Sequence, residues 1–313
     1  MCSRLGAPVT GERLALRVPG EAAGARLDQF LAEPLGSRAS AQRLIDAGLV
    51  IVDGRLRPKR HPLRGGELIQ VEEPPPPEAA AEGEPVPFEI AYEDNQLLVV
   101  DKPAGVVVHP GRGNHSGTLA QALAGVAAGG EEPWRAGIVH RLDRDTSGLL
   151  VVAKREETHR ALKQLLADRQ LHREYLTLVD GHPEARSGTI EAPIGRHRRD
   201  PLLMSIDTDT PREARTHFEL ERRLSDAALL RVTLETGRTH QIRVHMAAIG
   251  HPVLGDRQYG GRMAYGLTRQ FLHAARLSFP HPTTGQQVDV QSPLPEDLGA
   301  ALECASRSRS PST

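Results

Sequence analysis

The chain has 313 residues, a formal net charge of -1 and only 3% aromatic residues. That length suits about two domains of ~100–200 residues, with a core built from Leu, Val, Ile and Ala because aromatics are scarce. Two cysteines near the ends, Cys2 and Cys304, exclude a disulfide framework and a cysteine zinc site, and they fit a reducing compartment. No apolar run approaches the ~18–20 residues that span a membrane. The N-terminus lacks the apolar core of a signal peptide, so a cytoplasmic soluble protein without membrane contact is expected.

Residues 1–11 show no periodicity and are expected to be a loose tail. Leu14, Leu16 and Val18 alternate as in a strand, and Leu27, Phe30 and Leu31 fall at helix spacing. Ser37 is a candidate N-cap for a second helix that includes Leu44 and Ile45, with Gly48 just past its end. Val50-Ile51-Val52 predicts a strand, Asp53-Gly54 a tight hairpin turn, Gly65-Gly66 another turn, and Leu68-Ile69-Gln70-Val71 a strand. Residues 38–64 carry seven Arg or Lys and only two Asp, so a basic face is concentrated here despite the neutral total.

Ser37-Arg38 leading into Ala41-Gln42-Arg43-Leu44-Ile45, then Gly48-Leu49-Val50 and Val52-Asp53-Gly54, resembles the S4 RNA-binding domain. The resemblance covers about residues 12–73 and implies RNA contact by Arg38, Arg43, Arg55, Lys59 and Arg60. The alternative is a solvated basic face. The four prolines of 74–77 and the acidic stretch to Pro87 have almost nothing to bury, so residues 74–87 predict a linker.

A second domain over 88–299 opens with strands at 88–92 and 96–102, the latter ended by Pro103. The glycine-rich loop 111–117 is either a phosphate cradle or a mobile loop. It lacks the Gly-Lys-Ser/Thr ending of a P-loop, which excludes nucleotide triphosphate binding of that type. Residues 118–126 and 156–170 predict helices, 173–179 a strand, 216–224 and 229–234 paired strands, and 273–279 and 288–290 late strands. The Ser/Arg-rich end, 300–313, is expected to be disordered. Strands outnumber helices and short turns join many of them, which predicts an α+β protein with a mostly antiparallel sheet.

The densest polar stretch is His140-Arg141-Leu142-Asp143-Arg144-Asp145-Thr146-Ser147-Gly148, followed by the strand-like Leu149-Leu150-Val151-Val152-Ala153-Lys154. A polar loop on a rigid strand is a good mount for a reacting group. His-Arg-Leu-Asp-x-x-Thr-Ser-Gly resembles the signature of the RluA/RluD family of RNA pseudouridine synthases. Asp101-Lys102-Pro103-Ala104-Gly105 through His109-Pro110, Arg173-Glu174-Tyr175-Leu176-Thr177-Leu178-Val179 and Gly237-Arg238-Thr239-His240-Gln241-Ile242-Arg243-Val244-His245-Met246 resemble further motifs of that family. Together they cover about residues 88–297. The basic turn 193–200 resembles the RluD-type branch, or it is a solvated charge run.

The resemblance implies a mixed sheet split by a catalytic cleft, with Asp143 as the catalytic carboxylate and Tyr175 stacking on the uracil. A basic residue of the last motif would pair with Asp143. Arg243 matches best and Arg238 competes. A guanidinium partner fixes the rotamer of such a carboxylate and favours the anion. The target base must leave its stack, and Arg141 would fill the vacated space. His140 and Arg144 are either phosphate contacts or structural partners. The reaction breaks a C–N glycosidic bond and rejoins the base through carbon, so no metal or organic cofactor is implied.

The expected partner is RNA, most of all large-subunit ribosomal RNA or a pre-ribosomal particle, with tRNA as the other substrate class and a monomer as the expected state. Two readings of other kinds compete. A noncatalytic RNA-binding or ribosome-assembly factor would need only the basic domain. A metal hydrolase would need a ligand set, yet His240 and His245 lie about 140° apart on a helix and no HExxH motif occurs.

Overall fold

The structure is a computed structural model that describes residues 13–35, 38–46, 48–72, 86–110, 116–130, 137–200 and 202–307. The expected N-terminal tail, the Ser37 cap, nearly all of the linker and most of the loop 111–117 lie outside these residues. Internal contacts divide the chain into two units, Met1–Glu82 and Gly83–Thr313.

The first unit is a four-stranded antiparallel sheet in the order β1-β4-β2-β3, from β1 (Arg13–Arg17), β2 (Val50–Val52), β3 (Arg55–Leu56) and β4 (Leu68–Glu72). Two helices, α1 (Leu27–Phe30) and α2 (Arg38–Asp46), complete it. Asp53 and Gly54 both take positive φ, 47° and 74°, and join β2 to β3 through a two-residue turn. Leu27, Leu31, Ala41, Leu44, Ile45, Val50, Val52, Ile69 and Val71 are buried in one cluster. The alternating burial of β4 follows from Ile69 and Val71 facing that cluster while Gln70 and Glu72 face water.

The second unit is a nine-stranded sheet with helices packed against it. Its strands are β5 (Glu89–Glu93), β6 (Leu97–Lys102), β7 (Ser147–Ala153), β8 (His172–Asp180), β9 (Ser187–Glu191), β12 (Arg215–Arg223), β13 (Ala227–Leu234), β14 (Leu272–Pro280) and β15 (Gln287–Gln291). The order is β5-β6-β7-β14-β8-β13-β12-β9, with β15 added to β14. Every pairing is antiparallel except a short parallel contact of β7 with β14. The mixed, sheet-rich α+β class read from the sequence is therefore the class observed. A separate ribbon pairs β10 (Gly195–Arg196) with β11 (Met204–Ser205), and Arg198 beyond it is tied to Asp207 and Asp209.

β7 reads as an unbroken apolar run because both of its faces are covered. Leu150 and Val152 join one core cluster, Leu149, Val151 and Ala153 another. The helix α4 (Glu156–Ala167) buries Leu162 in the second cluster. The helix α5 (Gln241–Ala248) contributes Ile242 and Met246 to the first.

Two expectations are corrected. The helix predicted over 118–126 is only α3 (Leu119–Ala122) and passes into turns, because Gly125 takes a φ of 87° that reverses the chain. The disorder expected from 300 onward fails through residue 307. The helix α6 (Glu296–Arg307) buries Leu298, Ala301 and Ala305 against Leu178, Leu229, Leu254 and Phe271, so the second unit runs past 299. Three apolar residues at positions 298, 301 and 305 make one helical face, and that spacing was overlooked beside the Ser/Arg composition.

Candidate active site

Asp143 lies in the loop that enters β7, and its neighbours are fixed one by one. Leu142 is buried in the main core. The Arg144 carbonyl accepts from Lys102 Nζ at 3.0 Å and from the Gly105 N–H at 2.9 Å. The Asp145 carbonyl accepts from Arg269 Nη1 at 3.0 Å. Gly148 takes a φ of 110°, and a β-carbon there would lie 2.3 Å from the Ala274 carbonyl oxygen, so β7 and β14 can meet only at glycine. A loop pinned on both sides holds the Asp143 carboxylate with little freedom.

Lys102 is fully buried, and it also donates to the carbonyls of Pro103 (2.7 Å) and Val106 (3.0 Å). Its three donors are thus all satisfied, as a buried ammonium requires. Burial pushes its pKa down to about 7, opposed by the charges of Asp145 and Asp143.

The partner of Asp143 is Arg243, in the first turn of α5. Arg243 Nη1 donates to Asp143 Oδ2 at 3.3 Å. The rest of the guanidinium is held elsewhere: Nε and Nη2 grip the two oxygens of Asp256 at 2.6 and 2.9 Å, and Nη2 also donates to Gln258 Oε1 at 2.7 Å. Its carbon sits 4.9 Å from the centre of the Tyr259 ring. Burial opposes the Arg243 charge, but the Asp256 hydrogen bonds and the Asp143 charge outweigh it and raise the pKa. Asp256 therefore fixes Arg243, and Arg243 offers one N–H to one oxygen of Asp143. No hydrogen bond to Asp143 Oδ1 occurs among the described residues.

The turn before α5 is built around Gln241. Its Oε1 accepts from Thr236 Oγ1 and the Arg238 N–H, and its Nε2 donates to the Arg215 carbonyl and to Thr216 Oγ1. His240, the residue before the helix, takes the left-handed conformation and hydrogen-bonds Tyr259 Oη at 2.7 Å. His245 is buried between Thr216 Oγ1 and the Ala192 carbonyl, both at 2.8 Å. These histidines are engaged in separate bonds, and among the described residues no group of three or more His, Cys, Asp or Glu is arranged to hold a metal.

Tyr175 projects from β8 and is 5% exposed. It lines one cleft with Arg141, Asp143, Arg173, Arg238 and Arg243. Burial raises its phenol pKa, so the hydroxyl keeps its proton. Arg141 is exposed and has no ion-pair partner among the described residues. Arg238 does not reach Asp143; its Nε donates to the Glu213 carbonyl at 2.9 Å. Arg144 points away from the pair and is bound to the Asp145 carboxylate at 3.0 and 3.1 Å. His140 lines a neighbouring groove instead of the cleft. The structure thus brings Asp143, Tyr175, Arg243, Arg141 and Arg238 together and leaves His140 and Arg144 at the margin.

On the first unit, Arg38 Nε donates to the buried Asp28, which Arg26 and Gln42 also hold. Those bonds, the Arg26 one foremost, keep the Asp28 carboxyl well below its ordinary range. Lys59 pairs with Asp46 at 3.0 Å. Arg55 and Arg60 are exposed with no ion pair among the described residues, and the side chain of Arg43 lies outside them.

Sequence reasoning missed Gln241, Asp256 and Gln258 as supports and gave Lys102 and Arg173 no role. Asp256 lies beyond the Arg243 motif, and nothing in its spacing marks the contact.

A family model described as RNA pseudouridylate synthase matches residues 96–248, the segment that holds Asp143, Tyr175 and Arg243. The chain is 44% identical over 296 residues to ribosomal large subunit pseudouridine synthase D of Xanthomonas campestris, covering 90% of this chain and 89% of that one. It is 42% identical over 312 residues to the protein of the same name from Nitrosomonas europaea, covering 96% and 90%. Among solved structures, Human RNA Pseudouridylate Synthase Domain Containing 1 matches with a TM-score of 0.57 and 29% identity over 72% of this chain and 91% of that one. The chain belongs to the RNA pseudouridylate synthase family.

Proposed function

We propose that the protein converts uridines of large-subunit ribosomal RNA to pseudouridine with Asp143 as its catalytic carboxylate. The observation that carries the role of Asp143 is its asymmetric hold: Oδ2 is bound by a guanidinium that Asp256 fixes in place, and Oδ1 is left for chemistry. The reaction breaks the bond between uracil N1 and ribose C1′, joins C5 to C1′, and moves the C5 proton to N1, so nothing is oxidised or reduced. A carboxylate at this position serves as nucleophile or base beside a sugar carbon.

Tyr175 supplies the flat apolar surface for the uracil, and Arg141 is free to enter the space that the flipped nucleotide leaves. Arg238 extends the positive wall of the cleft. The N-terminal unit acts as an S4-like RNA-binding module, with Arg55 and Arg60 as the cations available to phosphates and Arg38, Arg43 and Lys59 as its further RNA contacts. The choice of large-subunit RNA rests on what the two curated relatives are named for. A cytoplasmic monomer acting on ribosomal RNA or a pre-ribosomal particle completes the reading.

The test uses ribosomal RNA transcribed with tritium at uracil C5, which isomerisation releases to water. Wild-type protein is expected to release tritium, and Asp143→Asn to bind the RNA with unchanged affinity and release none. Release by Asp143→Asn at the wild-type rate would remove Asp143 from the chemistry. Binding without release by the wild-type protein would favour the noncatalytic factor.

A further inference from the structure

Beside the cleft, and sharing Arg141, Arg173 and Arg238 with it, runs a groove that is also lined by His109, His140 and Lys163. Arg173 is its most unusual member. The residue is 5% exposed, yet its one hydrogen bond among the described residues runs from Nη2 to the Leu234 carbonyl at 3.2 Å. Its Nε is buried without a partner among the described residues. The guanidinium packs against Gly237, where a β-carbon would come within 2.7 Å of Nη1. The carboxylates of the groove are taken: Glu213 by Arg169, and Glu235 by Arg169, Arg215 and His217. A guanidinium buried without an anion is costly, and here burial lowers the Arg173 pKa.

His140 presents a second orphan. Its Nε2 accepts from the Val151 N–H at 3.3 Å, which places the ring proton on Nδ1. That Nδ1 is buried and has no acceptor among the described residues. Burial, with the nearby Arg173 charge, pushes the His140 pKa down to about 3, so the ring stays neutral and Nδ1 remains a fixed donor. Two unused donors and a rim of Arg141, Lys163 and Arg238 call for a ligand that only accepts and carries negative charge. A uracil carbonyl would accept the bonds but leave the Arg173 charge uncompensated.

We propose that this groove seats a backbone phosphate of the RNA strand next to the flipped uridine, with Arg173 and His140 as its inner donors and Lys163 on its rim. The inference rests on the RNA-isomerase reading given above and adds the subsite that holds the strand in register while the base turns. Phosphate contacts fix position without reading sequence, and a guanidinium fork suits a phosphate better than a point charge does.

The experiment measures the affinity of the full chain, in an Asp143→Asn background, for transcribed large-subunit ribosomal RNA across a KCl series. Each lost phosphate contact on a single strand lowers the slope of log affinity against log salt by about 0.7. Arg173→Gln and exposed Lys163→Ala are each expected to lower that slope by about one contact, and Arg173→Gln to weaken binding by about tenfold. Arg173→Lys is expected to keep the slope while losing affinity; if Arg173→Gln does not fold, the slope of Lys163→Ala alone decides, and an unchanged value overturns the proposal.

An unchanged slope in both Arg173→Gln and Lys163→Ala overturns the proposal. If kcat then falls in Arg173→Gln made in the protein that keeps Asp143, the guanidinium serves the base and not the strand. A wild-type protein that shows the expected salt dependence but forms no pseudouridine sinks the activity reading and leaves the phosphate site standing.

Discussion

Arg243 is held far more firmly by Asp256 than by Asp143. The single 3.3 Å bond to Asp143 is loose beside the 2.6 and 2.9 Å grip of Asp256 on the same guanidinium. Lysine cannot reproduce that two-pronged geometry while also reaching Asp143. Arg243→Lys is expected to lower kcat by at least ~100-fold, about 2.7 kcal/mol, with RNA affinity nearly unchanged. Asp256→Asn keeps the shape and removes the charge that fixes Arg243, so steady-state kinetics should show a smaller loss, again in kcat. Equal kcat for Asp256→Asn and wild type would mean that Asp143 orients Arg243 unaided. The gathering of Asp143, Tyr175 and Arg243 in one cleft was legible in the sequence because each sits in a dense local motif. Asp256 and Gln258 were not, since their meaning depends on a contact across a turn. Arg173 was read only as the start of a strand, because an unpaired buried charge becomes visible only once its surroundings are in place.

Elements that look peripheral hold the catalytic loop. Arg269 donates to the Asp145 carbonyl from one nitrogen and is bound through two others to Asp297, in the first turn of α6, at 2.7 and 2.9 Å. A disordered tail would tolerate truncation after residue 299. Such a truncation instead removes Ala301 and Ala305 and unfolds the helix that carries Leu298, an expected loss of about 2–4 kcal/mol in urea unfolding. Asp297→Ala in the full chain isolates the second effect: stability should change by less than ~1 kcal/mol, and kcat should fall as Arg269 loses its anchor. At the other end of the loop, Gly148→Ala is expected to yield no soluble protein, because the new methyl meets the backbone of Ala274 and not a movable side chain. The strand pattern was legible because Leu149–Ala153 is a continuous apolar run between turn signals. The extent of α6 was not, since its apolar face is mostly alanine and its end is polar.

Over the whole molecule, buried neutral histidines set the acid limit. Burial lowers the pKa of His140, His159, His240, His245 and His273 below the ordinary histidine value of 6.5. The unfolded chain therefore binds protons near pH 6.5 that the folded chain refuses, and stability must fall as pH drops below that value. The melting temperature is expected to decline steadily from pH 7 to pH 5, before the carboxylates titrate. A flat profile over that interval would show these rings charged in the fold. The net charge of -1 hides local positive clusters, such as exposed Arg55 and Arg60 on the first unit and the groove lined by Arg141, Arg173 and Arg238 on the second.

The central claim is that Asp143 isomerises uridines in large-subunit ribosomal RNA, and pseudouridine mapping by carbodiimide labelling and primer extension tests it most directly. Cells lacking the protein should lose stops at specific large-subunit positions, and wild-type protein, but not Asp143→Asn, should restore them. Loss confined to tRNA would contradict the substrate, and restoration by Asp143→Asn would contradict the chemistry.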